Sequence, residues 1–111
     1  MKKRTPHPRE IEYSRRLAYR LRELRDSQGL SQEAVAQRAG IAANTYQKYE
    51  KGESKPGSPA NPQLFTLLSL SRAFQIEPRD LLDLHVDAEW PESADEPKGG
   101  HGEDAPGNDR R

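Results

Sequence analysis

Residues 31–52, SQEAVAQRAGIAANTYQKYEKG, constrain this chain more than any other stretch, because they read as two short helices joined by a tight turn. Ser31 is suited to an N-cap, where its hydroxyl accepts from the first free amides of a helix. Val35, Ala36 and Ala39 follow at helical spacing and define one narrow apolar face. Gly40 supplies the left-handed backbone on which helices commonly end. A second helix is predicted from Ala42 to about Lys51, closed by Gly52. Ala36 and Ala39 are small enough to let the two helices cross closely. The second helix carries Ala43, Asn44, Gln47 and Lys48 on its outer face, with Tyr46 and Tyr49 turned elsewhere.

Around this pair the apolar pattern places three more helices. Residues 1–9 form a basic arm whose two prolines argue against helix. Over residues 10–27, Leu17, Leu21 and Leu24 stand at i, i+4 and i+7 with Ala18 beside them, and Arg15, Arg16, Arg20 and Arg22 occupy the other faces. Gly29 stops that helix. Residues 53–62 read as a Pro/Gly loop, with Pro62 tolerated in the first turn of the helix that follows. That fourth helix offers Leu64, Leu67, Leu68 and Phe74 as its buried side. Pro78 opens a fifth, with Leu81, Leu82 and Leu84 available to the core. Beyond His85 the composition turns to Asp, Glu, Pro and Gly with almost no aliphatic residue, so residues 86–111 are expected to be a disordered acidic tail. Trp90 is the one large ring in it.

Formal net charge is zero over 111 residues, yet the charges are segregated. Residues 1–60 hold 13 Lys/Arg against 7 Asp/Glu, a balance of +6, and residues 61–111 hold 5 against 11, a balance of −6. Screening within about 8–10 Å makes the local field, not the total, decide what the basic half attracts. The absence of cysteine excludes disulfides and thiolate metal sites and fits a reducing cytoplasm. MKKR is followed by TPHPRE, where a signal peptide would need an apolar stretch, and nothing is long enough to span a bilayer. His7, His85 and His101 lack metal-ligand spacing, and no nucleophile elbow or phosphate-binding Gly-rich loop is present. Neither an enzyme nor a cofactor is expected.

The residue 31–52 motif resembles the helix-turn-helix of lambda-repressor and Cro type proteins, the XRE family. Leu21, Leu24 and Arg25 in LRELRDSQGLSQ resemble the family's first helix and its turn into the second. Tyr49, Glu50 and Gly52 resemble its pattern at the end of the third. TLLSLSRAFQIEPRDLL, residues 66–82, is similar to its fourth and fifth helices. The loop ESKPGSPANP is longer and richer in Pro and Gly than the family's loop at that place.

The resemblance implies an all-α, five-helix lambda-repressor-like domain over residues 10–85 that binds double-stranded DNA. The helix at 42–51 would enter the major groove, with Ala43, Asn44, Gln47 and Lys48 at base edges. An amide side chain can bond an adenine edge in two places, and a methyl can meet that of thymine. Gln32, at the first turn of the second helix, would donate to a phosphate held by that helix N-terminus. Thr45, Lys51, Ser54 and Lys55 are further phosphate candidates, and Arg25 and Glu50 are expected to form an ion pair that locks the recognition helix against the first.

Family members usually bind two-fold operators as homodimers, with helix five, here Leu81 and Leu84, supplying a common dimer surface. A cytoplasmic bacterial or phage repressor is the first reading. The second is an antitoxin that represses its own operon and binds its toxin through residues 86–111. A protein-interaction module that has lost DNA binding is the third.

Overall fold

The computed structural model describes residues 5–84. The expectations for residues 1–4, for His85 and for the acidic tail with Trp90 and His101 lie outside the described residues. Among the described residues five helices are present: α1 Pro8–Ser27, α2 Gln32–Ala39, α3 Ala43–Lys51, α4 Leu64–Phe74 and α5 Pro78–Leu81. Between α3 and α4 lies a small antiparallel ribbon of β1 Glu53–Lys55 and β2 Ser58–Pro59.

Helix α1 starts two residues earlier than the prolines suggested. Pro8 sits at its first position, where the missing N–H would have no partner anyway. The His7 ring accepts from the Arg9 amide at 3.0 Å, and the Glu10 carboxylate accepts from the His7 amide at 3.2 Å. This is a capping box with histidine in place of serine or threonine. At α2 the Ser31 hydroxyl accepts from the Ala34 amide at 3.0 Å, and Gly40 ends the helix at φ 74°. Helix α3 has no side-chain cap at its start and ends on Gly52 at φ 80°.

The expected loop at 53–62 contains the ribbon. Gly57 at φ 81° turns the chain between strands too short to show an alternating pattern. The ribbon is tied to α1 and α3: the Ala60 amide donates to the Gly52 carbonyl at 3.1 Å, and the Ser14 hydroxyl donates to the Ala60 carbonyl at 2.5 Å.

The core joins Leu17, Leu21 and Leu24 of α1 to Val35, Ala36 and Ala39 of α2, Tyr46 of α3, Leu70, Ala73 and Phe74 of α4, and Leu81 of α5. Helix α4 presents a different face from the expected one. Leu70, Ser71, Ala73 and Phe74 are buried and Leu67 half-buried, whereas Leu64, Phe65 and Leu68 are exposed. Of the three leucines near α5, Leu81 is buried, Leu84 packs on the core margin and Leu82 is exposed.

Two α1 arginines fasten α5. The Arg20 guanidinium donates twice to the Asp80 carbonyl, at 3.1 and 2.9 Å, and Arg16 donates to the Leu84 carbonyl at 2.9 Å. Arg16 also pairs with Glu12 and Arg20 with Glu23. At the far end of α1 the Gln28 amide donates to the Phe74 carbonyl at 2.9 Å. Among the described residues no helix is long and apolar enough to cross a membrane.

Candidate nucleic-acid interface

The interface is organised from behind by one buried carboxylate. Glu50, in the last turn of α3, is 4% exposed and accepts four hydrogen bonds. Arg25 of α1 reaches it in two-pronged fashion, Nε to Oε2 at 2.6 Å and a terminal nitrogen to Oε1 at 3.1 Å. The Tyr46 hydroxyl donates to Oε2 at 2.5 Å, and the Gln32 amide of α2 donates to Oε1 at 3.0 Å. Arg25 also donates to the Leu30 carbonyl at 3.1 Å, in the turn between α1 and α2. Three helices are therefore fixed by a single side chain, and the angle at which α3 leaves the body is set by it.

Burial alone would raise the Glu50 pKa, but the hydrogen bonds from Arg25, Tyr46 and Gln32 and the Arg25 charge outweigh it and hold the carboxyl below its ordinary value. Burial pushes the Tyr46 hydroxyl well above the usual phenol range, and its bond to Glu50 adds to that. The bond to Glu50 raises Arg25 further. At neutral pH the cluster holds one carboxylate, one guanidinium and one neutral phenol. The Tyr46 ring, turned away from the outer face of α3, is fully buried, and its hydroxyl completes the Glu50 shell.

On the opposite side of α3, Asn44, Lys48 and Lys51 are exposed, and Gln47 and Thr45 are half-exposed. Asn44, Gln47, Lys48 and Lys51 follow at i, i+3, i+4 and i+7, a single polar stripe. Ala43 is half-buried and packs against the core. Ser54 and Lys55 are exposed on β1. Gln32 is half-buried at the first position of α2, and its side chain is held by Glu50, a partnership the sequence did not indicate. Arg22 is a second cation the sequence reading left unassigned: it donates to the Glu50 carbonyl at 2.5 Å, at the C-terminus of α3. Among the described residues no group of His, Asp or Glu is arranged to hold a metal ion.

Two short helices locked at a fixed angle, with a polar stripe on the second, define a helix-turn-helix DNA-binding protein. The helix-turn-helix family model matches residues 21–81, from mid-α1 to the end of α5. The chain belongs to this family, in its XRE-like branch of DNA-binding transcription regulators. Among solved structures it is similar to the restriction-modification controller protein C.AhdI from Aeromonas hydrophila. The two are 37% identical, with a TM-score of 0.54, over 61% of this chain and 94% of that chain. No curated protein matches the chain significantly.

Proposed function

We propose that this protein represses transcription by binding a two-fold DNA site as a homodimer, with α3 in the major groove. The observation that carries the reading is the outward polar row of exposed Asn44, Lys48 and Lys51 and half-exposed Gln47 on a helix whose buried side is clamped by Glu50. A recognition helix held rigidly keeps a fixed register against the base edges, while the amide side chains of Asn44 and Gln47 supply the paired donors and acceptors an adenine presents for. The N-terminus of α2, with Gln32, would rest on a phosphate, and Thr45, Lys51, Ser54 and Lys55 would meet the backbone on either side of the groove.

Likeness to a restriction-modification controller protein supports a regulator of that kind. One domain of this size contacts few base pairs, so two copies on half-sites about one helical turn, ~34 Å, apart are required for specificity. Leu64, Phe65, Leu68 and Leu82 are the exposed apolar side chains from which the second copy would draw contact area, whereas Leu81 is enclosed in the core. The antitoxin alternative rests on residues 86–111, outside the described residues, and a toxin-like gene beside this one would decide it.

Selection of genomic fragments on the full-length protein at about 0.15 M salt, where the Debye length is about 8 Å, tests the proposal. A two-fold motif should be enriched by the natural protein and lost with Asn44→Ala, Gln47→Ala. Binding that ignores sequence in both would overturn it.

A further inference from the structure

The cations of the described structure differ in what engages them; Arg38 and Arg72 share a hollow with residues of α4 and α5 and, like Arg79, are exposed. Arg16, Arg20 and Arg25 are engaged by carbonyls and carboxylates of the fold. Arg15, Lys48, Lys51 and Lys55 are exposed, and among the described residues no side-chain hydrogen bond or ion pair engages them. Arg22 is exposed as well, with one nitrogen on the Glu50 carbonyl and the rest of its fork open.

Arg15, Arg22 and Lys51 lie around one corner. A Cβ on Gly52 would lie 3.6 Å from Arg15 Cα and 3.7 Å from Ala18 Cβ, so the chain leaving α3 abuts α1 at Arg15. Arg22 grips the carbonyl two residues earlier. Lys51 is thus bracketed by two arginines seven residues apart on α1, about 10 Å along the helix and within about 20° of the same direction. Arg16 and Arg20 point roughly 100–140° away round α1, toward α5. Lys55 continues the strip onto the ribbon. Glu53 on the ribbon and Asp26, one turn beyond Arg22 on α1, are the exposed acidic residues beside Arg15, Arg22, Lys51 and Lys55.

Resting on the DNA-binding reading above, we propose that Arg15 and Arg22 of α1 hold phosphates of the DNA backbone, together with Lys51 and Lys55, as a clamp beside the recognition helix. A row of unpaired guanidinium and ammonium groups along an edge matches a row of phosphates, and Arg in particular can take a phosphate two-pronged. The helix C-terminus explains the position of Arg22, because a cation complements the exposed carbonyls there. It does not explain Arg15, which has no side-chain hydrogen bond or ion pair among the described residues. The contacts carry no sequence information, so they fix register and orientation rather than base preference.

The test is the salt dependence of duplex binding by the full chain, measured for Arg15→Gln, Arg22→Gln and Arg20→Gln. All three remove one positive charge, but Arg20 faces α5. Each lost phosphate contact should reduce the slope of log K against log salt by about 0.9. Arg15→Gln and Arg22→Gln should each show that reduction with unchanged base preference, and Arg22→Lys should restore it. Arg20→Gln should keep the natural slope while losing thermal stability. Slopes for Arg15→Gln and Arg22→Gln equal to that of Arg20→Gln would overturn the clamp and leave the DNA reading intact. Absence of salt-dependent binding by the natural protein would overturn both.

Discussion

Arg25 and Glu50 lie 25 residues apart in sequence and meet in a two-pronged ion pair, 2.6 Å at its shorter contact, that joins the first helix to the end of the recognition helix. The carboxylate is almost wholly enclosed, whereas the guanidinium retains some contact with water. That asymmetry decides what each substitution does. Arg25→Ala strands a buried negative charge and should cost about 3–5 kcal/mol. The double change Arg25→Met, Glu50→Met removes both charges and fills similar volume, so it should cost less than Arg25→Ala alone. Urea unfolding of the three proteins measures this, and a double variant less stable than the single would contradict it.

The same cluster sets the limits of pH stability. Glu50 has a folded pKa below its ordinary value near 4.5, so its contribution is present above that value and disappears as pH falls through the lower folded pKa. Tyr46 has a folded pKa raised above its ordinary 10.0, so its contribution is full below pH 10 and is lost as pH rises beyond it. Tyr46→Phe should lower stability at neutral pH by about 1–3 kcal/mol, since it removes a donor to a buried carboxylate. It should also flatten the alkaline limb. Thermal unfolding across the acid and alkaline ranges reads both effects.

The helix-turn-helix was legible because its ends are written in residue types: Ser31 caps, and Gly40 and Gly52 stop, each with the left-handed backbone that an L side chain resists. Ends without such marks were misread. His7 and Pro8 begin α1, but a proline followed by Arg looks like a helix breaker until the His7 ring is seen to cap. On α4 the run LFTLLSL offers two overlapping apolar stripes, and only packing against α2 selects the one through Leu70 and Phe74. The tasks of the α1 arginines were hidden for a different reason. Arg16, Arg20 and Arg22 bind backbone carbonyls, and every residue has one, so no pattern of side chains announces the partner. Glu50 was visible as one half of a pair with Arg25, yet its further partners Tyr46 and Gln32 come from helix geometry rather than from residue type.

Gly52 illustrates a residue whose cost can be separated into space and backbone. An added Cβ would meet the Ser14 carbonyl oxygen at 3.5 Å, ordinary contact, so there is room for it. The penalty of Gly52→Ala is then the left-handed conformation itself, about 1–2 kcal/mol. Melting temperature should fall accordingly while the affinity for DNA, measured well below that temperature, stays close to natural. A collapse of folding would mean that the contact with α1 is tighter than its distances indicate.

Gln32 and Gln47 should separate affinity from specificity. Gln47 lies on the outer stripe of α3 proposed to enter the groove, so Gln47→Ala should remove about 1–3 kcal/mol of discrimination against altered operators and leave non-specific binding alone. Gln32, held by Glu50 at the start of α2, is the residue proposed to meet a phosphate, so Gln32→Ala should weaken operator and random duplex by the same factor. Titrations against both duplexes give the two ratios. A loss confined to the operator with Gln32→Ala would reassign that residue to base reading.

Phe65 is 77% exposed on α4, next to the 63% exposed Leu64, where the amphipathic pattern would have put Leu64 in the core. Single exposed rings are common, but Leu64, Phe65 and Leu68 lie close together on α4, and the proposed second copy would cover them. Phe65→Glu should therefore convert a dimer to a monomer in sedimentation equilibrium without lowering the thermal stability of the fold, since the ring contributes little to the core. Binding to a two-fold operator should weaken strongly, because the second half-site no longer benefits from the effective concentration that dimerisation supplies. Binding to a single half-site should not change. A variant that stays dimeric would move the contact elsewhere, with Leu82 as the next exposed apolar side chain to substitute.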